Sequence, residues 1–532
     1  MNNWAFLSRF LTSRKFPLLL ILLGIILRLS NYIYNRSLWV DEAWVANDIL
    51  TRTFKEIFLN KVNYVGLPAI PPAGFLLIEK SLVNIGGNSE YVLRLFPFLC
   101  GALAVILYWA LLKKWTSQIT AVMALSLFIF TGSLINYSAQ CKQYSGEVMV
   151  AIVLYLAAVY FQAKAASTGR VLIFALIGMI GMYISHTAIF ILGGIAITQT
   201  LFLFNSEERK VRWGYLFTYI LWAACFILIY VVYLKVMVDK NTPMGKFCIN
   251  STLTHFMPSG GIFSLGGWEW IWKNTLDCFQ DPLGVSPILL ALSMFLLGAI
   301  GIFKIDKRIF LMLVLPMVLM IVASGLRKYP FYGRFLLFLV PAALLFMAQA
   351  ISMITSRGKI GLVLGVLIFF VLMGEPFKSA ISNEISPQGR EEMRPIVGFL
   401  QKEQFPGDSL YMNNSAQYAY AYYLMYYHFD LSPNIGGYFL DSSENNRISL
   451  ILRAVSLQND IFLSTSMYRK KVVLKQGVHR FKKRTWLMLS HLYDLQTGEF
   501  IKDCFDDRGK LLLKIKRPGV SLYLYELYEP LT

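Results

Sequence analysis

Apolar and polar stretches alternate along this 532-residue chain in long blocks, not in the short periods of a soluble helix or strand. Many apolar blocks approach the roughly 20 residues that a helix needs to cross a bilayer. Expected spans cover 16–33, 91–112, 119–135 and 146–161. The apolar block 171–204 is too long for one span and carries Ser185-His186 in its middle, so it is expected to split there, with His186 at the turn. Further spans are expected at 213–234, 285–303 and 309–325, then one ending near Ser356-Arg357 and one ending near Gly374, about eleven in all. The first block is too long for a signal-peptide core and lacks a small-residue cleavage site, so it reads as a retained span.

Charge orients these helices. Arg9, Arg14 and Lys15 precede the first span and put the N-terminus in the cytoplasm. Lys113-Lys114, Lys164 with Arg170, the 207–212 block, the 304–308 block and Arg357 then fall on the same side. Two long loops, 34–90 and 235–284, fall on the other. The first should hold two helices lying on the membrane surface, the second at 73–83, just after Pro71-Pro72. Residues 1–375 thus form a transmembrane domain. Residues 376–532 change character, becoming polar with alternating elements: helices at 390–402 and 416–427, strands at 409–412, 485–490 and 522–526. That alternation predicts a small extracytoplasmic α/β domain. Its tyrosines Tyr418, Tyr420, Tyr422, Tyr423, Tyr426 and Tyr427 suit core packing.

Composition agrees with this polytopic α-helical membrane protein. The chain is 56% hydrophobic and only 15% charged, with a mean hydropathy of +0.54. The net charge of +19 fits cytoplasmic loops, and no nucleic-acid module is visible. Six cysteines are scattered without a CxxC pair; Cys248 and Cys278 share a loop and are either a disulfide or two free thiols.

Candidate chemistry gathers on the external side. Asp41 and Glu42 sit between Trp39 and Trp44, at a depth where indoles are at home and acids are costly without a function. The plainer alternative makes Asp41 the N-cap of a helix over 42–58. Lys142, Tyr144 and Glu147 follow the third span, His186 sits at a turn, and Arg327, Lys328 and Arg334 run against the charge bias. A basic cluster outside suggests an anionic ligand, for which the Arg fork matches phosphate oxygens; ordinary headgroup contact is the alternative. A carboxylate beside such a cluster suggests group transfer from a phosphate leaving group.

Several motifs resemble the membrane-embedded GT-C glycosyltransferases, in particular the protein O-mannosyltransferase and aminoarabinose-transferase group (glycosyltransferase family 39-like). They are Trp39-Val40-Asp41-Glu42-Ala43 after the first span, Pro71-Pro72 before an apolar helix, and Glu90-Tyr91-Val92-Leu93-Arg94-Leu95-Phe96-Pro97. Ser138-Ala139-Gln140-Cys141-Lys142-Gln143-Tyr144 resembles a segment often written Ser-x-Glu-x-Arg/Lys-x-Tyr, and Tyr332-Gly333-Arg334-Phe335 with Pro341 resembles an Arg-Tyr-Leu…Pro segment. The tail from Arg390 to Trp486 is similar to the outer domain of some bacterial members. Two positions depart: Gln140 stands where many relatives have Glu, leaving Glu147 as the candidate second acid, and Ile70 stands where relatives often have His.

The resemblance implies a GT-C-like fold in a multi-pass protein, expected in a bacterial plasma membrane. It implies transfer of a sugar, with inversion, from a polyprenyl-phosphate donor to a glycan, lipid or protein acceptor on the extracytoplasmic face. Asp41 would be the base, with Glu42 and Glu147 as further acids. Lys142, Tyr144, His186, Arg327, Lys328 and Arg334 would bind substrate. No particular cofactor is implied, and a divalent metal held by His186 and a nearby acid stays open. The rival readings are a transporter or flippase for lipid-linked glycans, which would not need the Asp41 carboxylate, and a non-catalytic envelope assembly protein.

Overall fold

A computed structural model describes residues 15–59, 71–162, 168–203, 209–239, 241, 255–385, 389–405, 407–413, 415–427, 460–463, 483–492 and 495–528. Arg9, Arg14, Lys164, Glu207, Cys248 and Ile70 lie outside these, and with Cys248 so does the disulfide question.

The membrane part is helical. Helix α1 is Lys15–Tyr34, and the loop that follows holds α2 (Val40–Thr51), α3 (Phe54–Phe58) and α4 (Ala73–Gly86). Then come α5 (Glu90–Trp115), α6 (Gln118–Phe130), α7 (Gly132–Tyr137), α8 (Tyr144–Gln162), α9 (Thr168–Ile184), α10 (Ala188–Leu203) and α11 (Arg209–Ile229). Helices α12 (Leu265–Gln280), α13 (Ile288–Ile305), α14 (Lys307–Gly325), α15 (Val340–Thr355, after a 3-10 turn at Gly333–Leu339) and α16 (Gly358–Ile385) complete it. Among the described residues, 8 helical stretches are long and apolar enough to cross a membrane, and three shorter apolar helices (Gln118–Phe130, Gly169–Ile184, Ala188–Phe202) accompany them. Local signals set several starts. The hydroxyls of Ser89 and Ser117 accept from Val92 N and Thr120 N, and the Asp306 carboxylate accepts from Arg308 N and Ile309 N. The expected split of 171–204 occurs at Ser185–Thr187.

Helix α15 is the centre of the bundle and packs against α6, α13 and α16. The outward faces carry exposed Leu and Ile, such as Leu18, Leu19 and Leu22 on α1, as lipid contact requires.

The C-terminal part builds α17 (Met393–Glu403), β1 (Ser409–Met412), α18 (Ala416–Tyr427), β2 (Asp460–Leu463), β3 (Arg484–Ser490), α19 (Leu495–Asp506), β4 (Gly509–Arg517) and β5 (Val520–Leu527). The sheet order is β2-β1-β3-β5-β4, parallel from β2 to β3 and antiparallel through β5 and β4. Edge strand β4 exposes Lys510, Lys514 and Arg517, which discourages pairing with another sheet. Tyr418, Tyr420, Tyr422 and Tyr423 are buried in the core as expected.

Two expectations need correction. The helix expected over 42–58 stops at Thr51, and a Thr53–Glu56 capping box starts a separate turn. Helix α2 is packed inside the protein, with 10 of its 12 residues buried. The last span continues past Gly374 to Ile385. The burial of α2 has a tertiary cause. Leu38, Val40, Ala43, Trp44 and Ile49 share one hydrophobic core with Met393, Ile396, Tyr418, Tyr422 and Trp486 of the C-terminal part.

Candidate active site

Helix α2 carries Asp41 in its first turn. The N-cap is Trp39, whose side chain caps nothing, so Asp41 is not the cap. The buried helix N-terminus is satisfied from the other end of the chain: Glu391 accepts from Val40 N at 3.0 Å. The same carboxylate meets His491 Nδ1 at 2.5 Å. A carboxylate at a helix N-terminus is favourable for the backbone donors and for the helix dipole.

The Asp41 carboxylate is buried and pairs with the Arg334 guanidinium. Burial by itself would raise the Asp41 pKa, but the nearby charges of Lys142, Arg334 and His491 outweigh it and hold the carboxyl below its usual range. Lys142 is buried, which pushes its ammonium down to about 8 against the pull of Asp41. Among the described residues, Lys142 makes no ion pair within hydrogen-bonding reach of a carboxylate. Arg334 also faces the rings of Tyr144 at 5.7 Å, Trp39 at 5.8 Å and Phe335 at 5.6 Å. Arg390 covers the Trp39 indole at 4.4 Å.

Arg334 reaches Asp41 because the chain turns sharply at Gly333. Its φ is +45°, and a Cβ there would meet Asp281 Oδ2 at 2.7 Å. His255 stacks on Tyr332 with ring centroids 3.6 Å apart and fixes the preceding residue.

Glu42 points elsewhere, as its position about 100° round the helix allows. Its two oxygens take Arg94 Nε at 3.0 Å and Arg94 Nη2 at 2.9 Å, and one also accepts from Cys141 N at 2.8 Å. Glu42 therefore ties α2 to α5 and to the Gln140–Lys142 backbone that presents Lys142. Trp39 Nε1 donates to Gln140 Oε1 at 3.4 Å.

The remaining expected residues divide. Tyr144 is buried beside Arg334. Glu147 is buried in the first turn of α8, its Oε2 without a hydrogen-bond partner, and is not bonded to Asp41. His186 is half-buried at the α9–α10 turn and is not bonded to Asp41 either. Arg327 and Lys328 stay exposed and form no ion pair among the described residues; of the three basic residues in that connection, Arg334 alone reaches Asp41. No group of three or more His, Cys, Asp and Glu side chains among the described residues could hold a metal ion.

No protein-family model and no curated protein matches the sequence. Solved structures do. ArnT, the aminoarabinose transferase from Cupriavidus metallidurans, superposes in its apo state with a TM-score of 0.54 at 10% identity, over 95% of this chain and 97% of that one. Its form bound to undecaprenyl phosphate gives 0.53 over the same shares. The archaeal oligosaccharyltransferase AglB from Archaeoglobus fulgidus, in complex with an inhibitory peptide and a dolichol-phosphate, gives 0.50 at 10% identity over 95% of this chain and 74% of that one. The chain has the GT-C fold. The GT-C frame extends through the C-terminal part as well as the helices, since the match to ArnT covers nearly all of both chains.

Sequence reasoning missed Arg390, Glu391, His491 and Asp281, whose partners are far away in the chain. It also missed Arg28, which carried a readable signal: a guanidinium inside an apolar span.

Proposed function

We infer that this protein is a glycosyltransferase that moves a sugar from a polyprenyl-phosphate carrier to an acceptor hydroxyl, on the extracytoplasmic side of the membrane. The observation that carries the reading is the buried Asp41 carboxylate ringed by Lys142 and Arg334 on a GT-C fold. ArnT bound to undecaprenyl phosphate and AglB with dolichol-phosphate show which lipid class that fold accommodates in those proteins.

In the proposed step the acceptor oxygen attacks the anomeric carbon, and its proton passes to Asp41. The bond from that carbon to the phosphate oxygen breaks, and the electron pair leaves on the carrier phosphate. A single displacement inverts the anomeric centre. Lys142 and Arg334 bind the phosphate and stabilise the charge it gains. Their positions also suggest how the base is switched on. Paired with Arg334, the Asp41 carboxylate is ionised but weakly basic. A phosphate that takes part of the guanidinium fork weakens that pairing and raises the basicity of Asp41 when donor is present. Glu42 serves as a strut through Arg94, with no part in proton transfer.

The test is direct. Full-length protein in lipid, given a polyprenyl-phosphate sugar and an acceptor, yields free carrier phosphate and glycosylated acceptor. Asp41→Asn folds and binds carrier phosphate at least as tightly, because Arg334 is released, yet turns over about 10²–10⁴-fold more slowly. Equal turnover by both proteins would remove Asp41 from the chemistry.

A further inference from the structure

Helix α12, Leu265–Gln280, has three faces of different chemistry. Its start is local: the Ser264 hydroxyl accepts from Gly267 N at 3.1 Å, after a 3-10 turn at Gly261–Phe263. Gly267 lets that turn fold tightly onto the helix, since a Cβ there would collide with Gly261 O. One face turns inward through buried Gly267 and Trp270, and the Trp270 ring lies 5.8 Å from Phe331, close to the Arg334 turn. A second face is polar and carries Glu269, Lys273 and Asp277, all exposed. The third is apolar. Leu265, Trp268, Trp272, Leu276 and Phe279 recur at helical spacing and form one stripe along the helix.

The two ends of this stripe differ. Phe279 is buried, with its ring 6.1 Å from Phe295, which lies about two turns into span α13. That contact sets the C-terminal end of the stripe at membrane depth. Toward its other end the stripe is open. Trp272 and Trp268 are exposed, Leu265 is 90% exposed, and Phe263 in the preceding turn is 95% exposed. Large apolar side chains left open side by side mark an interaction surface. Leu289, at the start of α13, is exposed as the lipid-facing residues of the other spans are. Tryptophan suits the boundary between headgroups and acyl chains, where its ring meets hydrocarbon and its N–H meets water or headgroups.

We propose that α12 and the turn before it are a membrane-docking surface. Phe263, Leu265, Trp268 and Trp272 enter the headgroup–acyl boundary of the leaflet on the Asp41 side, and Glu269, Lys273 and Asp277 turn to water. Lipid is the occupant because the same stripe, followed along the helix, reaches span α13 at Phe279, at a level that the bilayer occupies. The docked helix ends where the Asp41 site begins. Asp281, the residue after α12, lies against Gly333, where a Cβ would meet its Oδ2 at 2.7 Å. The bilayer therefore steadies the element on which the Arg334 turn rests. This surface does not depend on the chemistry proposed for Asp41.

The test uses full-length protein at one copy per nanodisc, so that no second copy can cover the stripe. Hydroxyl-radical oxidation of the unmutated protein is read residue by residue, with Phe405 of the C-terminal part, 58% exposed, as the aqueous reference. The protein surface alone would make Phe263 the more reactive of the two. Docked in lipid, Phe263 is oxidised several-fold less than Phe405. Tryptophan emission is then quenched by phospholipids brominated near the headgroup end of the acyl chain. The double variant Trp268→Phe, Trp272→Phe keeps the apolar stripe but loses part of that quenching, whereas Trp270→Phe keeps all of it. Oxidation of Phe263 at least as strong as that of Phe405 would overturn the proposal. So would protection of Phe263 with quenching unchanged in the double variant, because another part of the chain would then cover the stripe.

Discussion

At the scale of single residues, position on the chain and chemical role separate. Asp41 and Glu42 are adjacent, both buried and both paired with arginine, yet Glu42 is tied to Arg94 while Asp41 pairs with Arg334 and its aromatic wall. Arg334 faces Asp41 with a guanidinium set among three rings, so a lysine there keeps the charge and loses the fork and the stacking. Arg334→Lys is expected to weaken carrier-phosphate binding by about tenfold and Arg334→Ala by more, read by titration of polyprenyl phosphate with folding checked in parallel. Lys142 gives a pH signature. Its ammonium is lost on raising the pH through about 8, because burial disfavours the charge. Phosphate affinity should therefore be full below that value and fall above it, and Lys142→Arg should flatten the fall. A wild-type affinity constant from pH 7 to pH 9.5 would take Lys142 out of the phosphate site.

At the scale of elements, the site depends on how α2 and the turn before α15 are held. Val40 N is capped by Glu391, so α2 begins under the control of a residue some 350 positions later. Glu391→Ala leaves that buried N–H without an acceptor and releases His491; it should cost roughly 1–3 kcal/mol in stability and lower turnover, measured by thermal melts and assay together. Gly333→Ala should act on the other side. It places a methyl group against Asp281 and strains a positive φ, so it should impair carrier binding while leaving the sheet domain's near-UV signature unchanged. Both elements were visible in the sequence as motifs. Trp39-Val40-Asp41-Glu42 and Tyr332-Gly333-Arg334 stood out as candidate chemistry, but the helix boundary and cap beside Asp41 did not, since the capping group is not local.

At the scale of the whole molecule, the two parts are one structure around α2. Besides the shared core, Arg394 bonds Glu90 at 2.9 Å and Asn35 O at 2.6 Å. Tyr423 donates to Glu90 and accepts from Leu38 N. Truncation after residue 385 would bare Leu38, Val40, Ala43, Trp44 and Ile49. We expect such a truncation to lose carrier binding along with solubility in detergent, seen as aggregation on size exclusion. A monodisperse truncated protein with normal carrier affinity would show that the C-terminal part is dispensable to the site.

The sequence by itself determined the membrane class, the approximate positions of the apolar helices, the α/β character of the tail and the residues Asp41, Lys142 and Arg334 as candidates. Those properties are local: apolar run length, charge at helix ends, and residue type at a motif. Only the tertiary structure decided that α2 is buried, that Glu42 is tied to Arg94, that Arg327 and Lys328 stand apart from Arg334, and that Glu391 caps the Asp41 helix. Each of these depends on a partner far away in the chain, and the hydrophobic pattern of α2 looks the same whether its apolar face meets lipid or another domain. Arg28 falls between: its charge inside a span was legible, but only the packed helices show that no carboxylate among the described residues pairs with it.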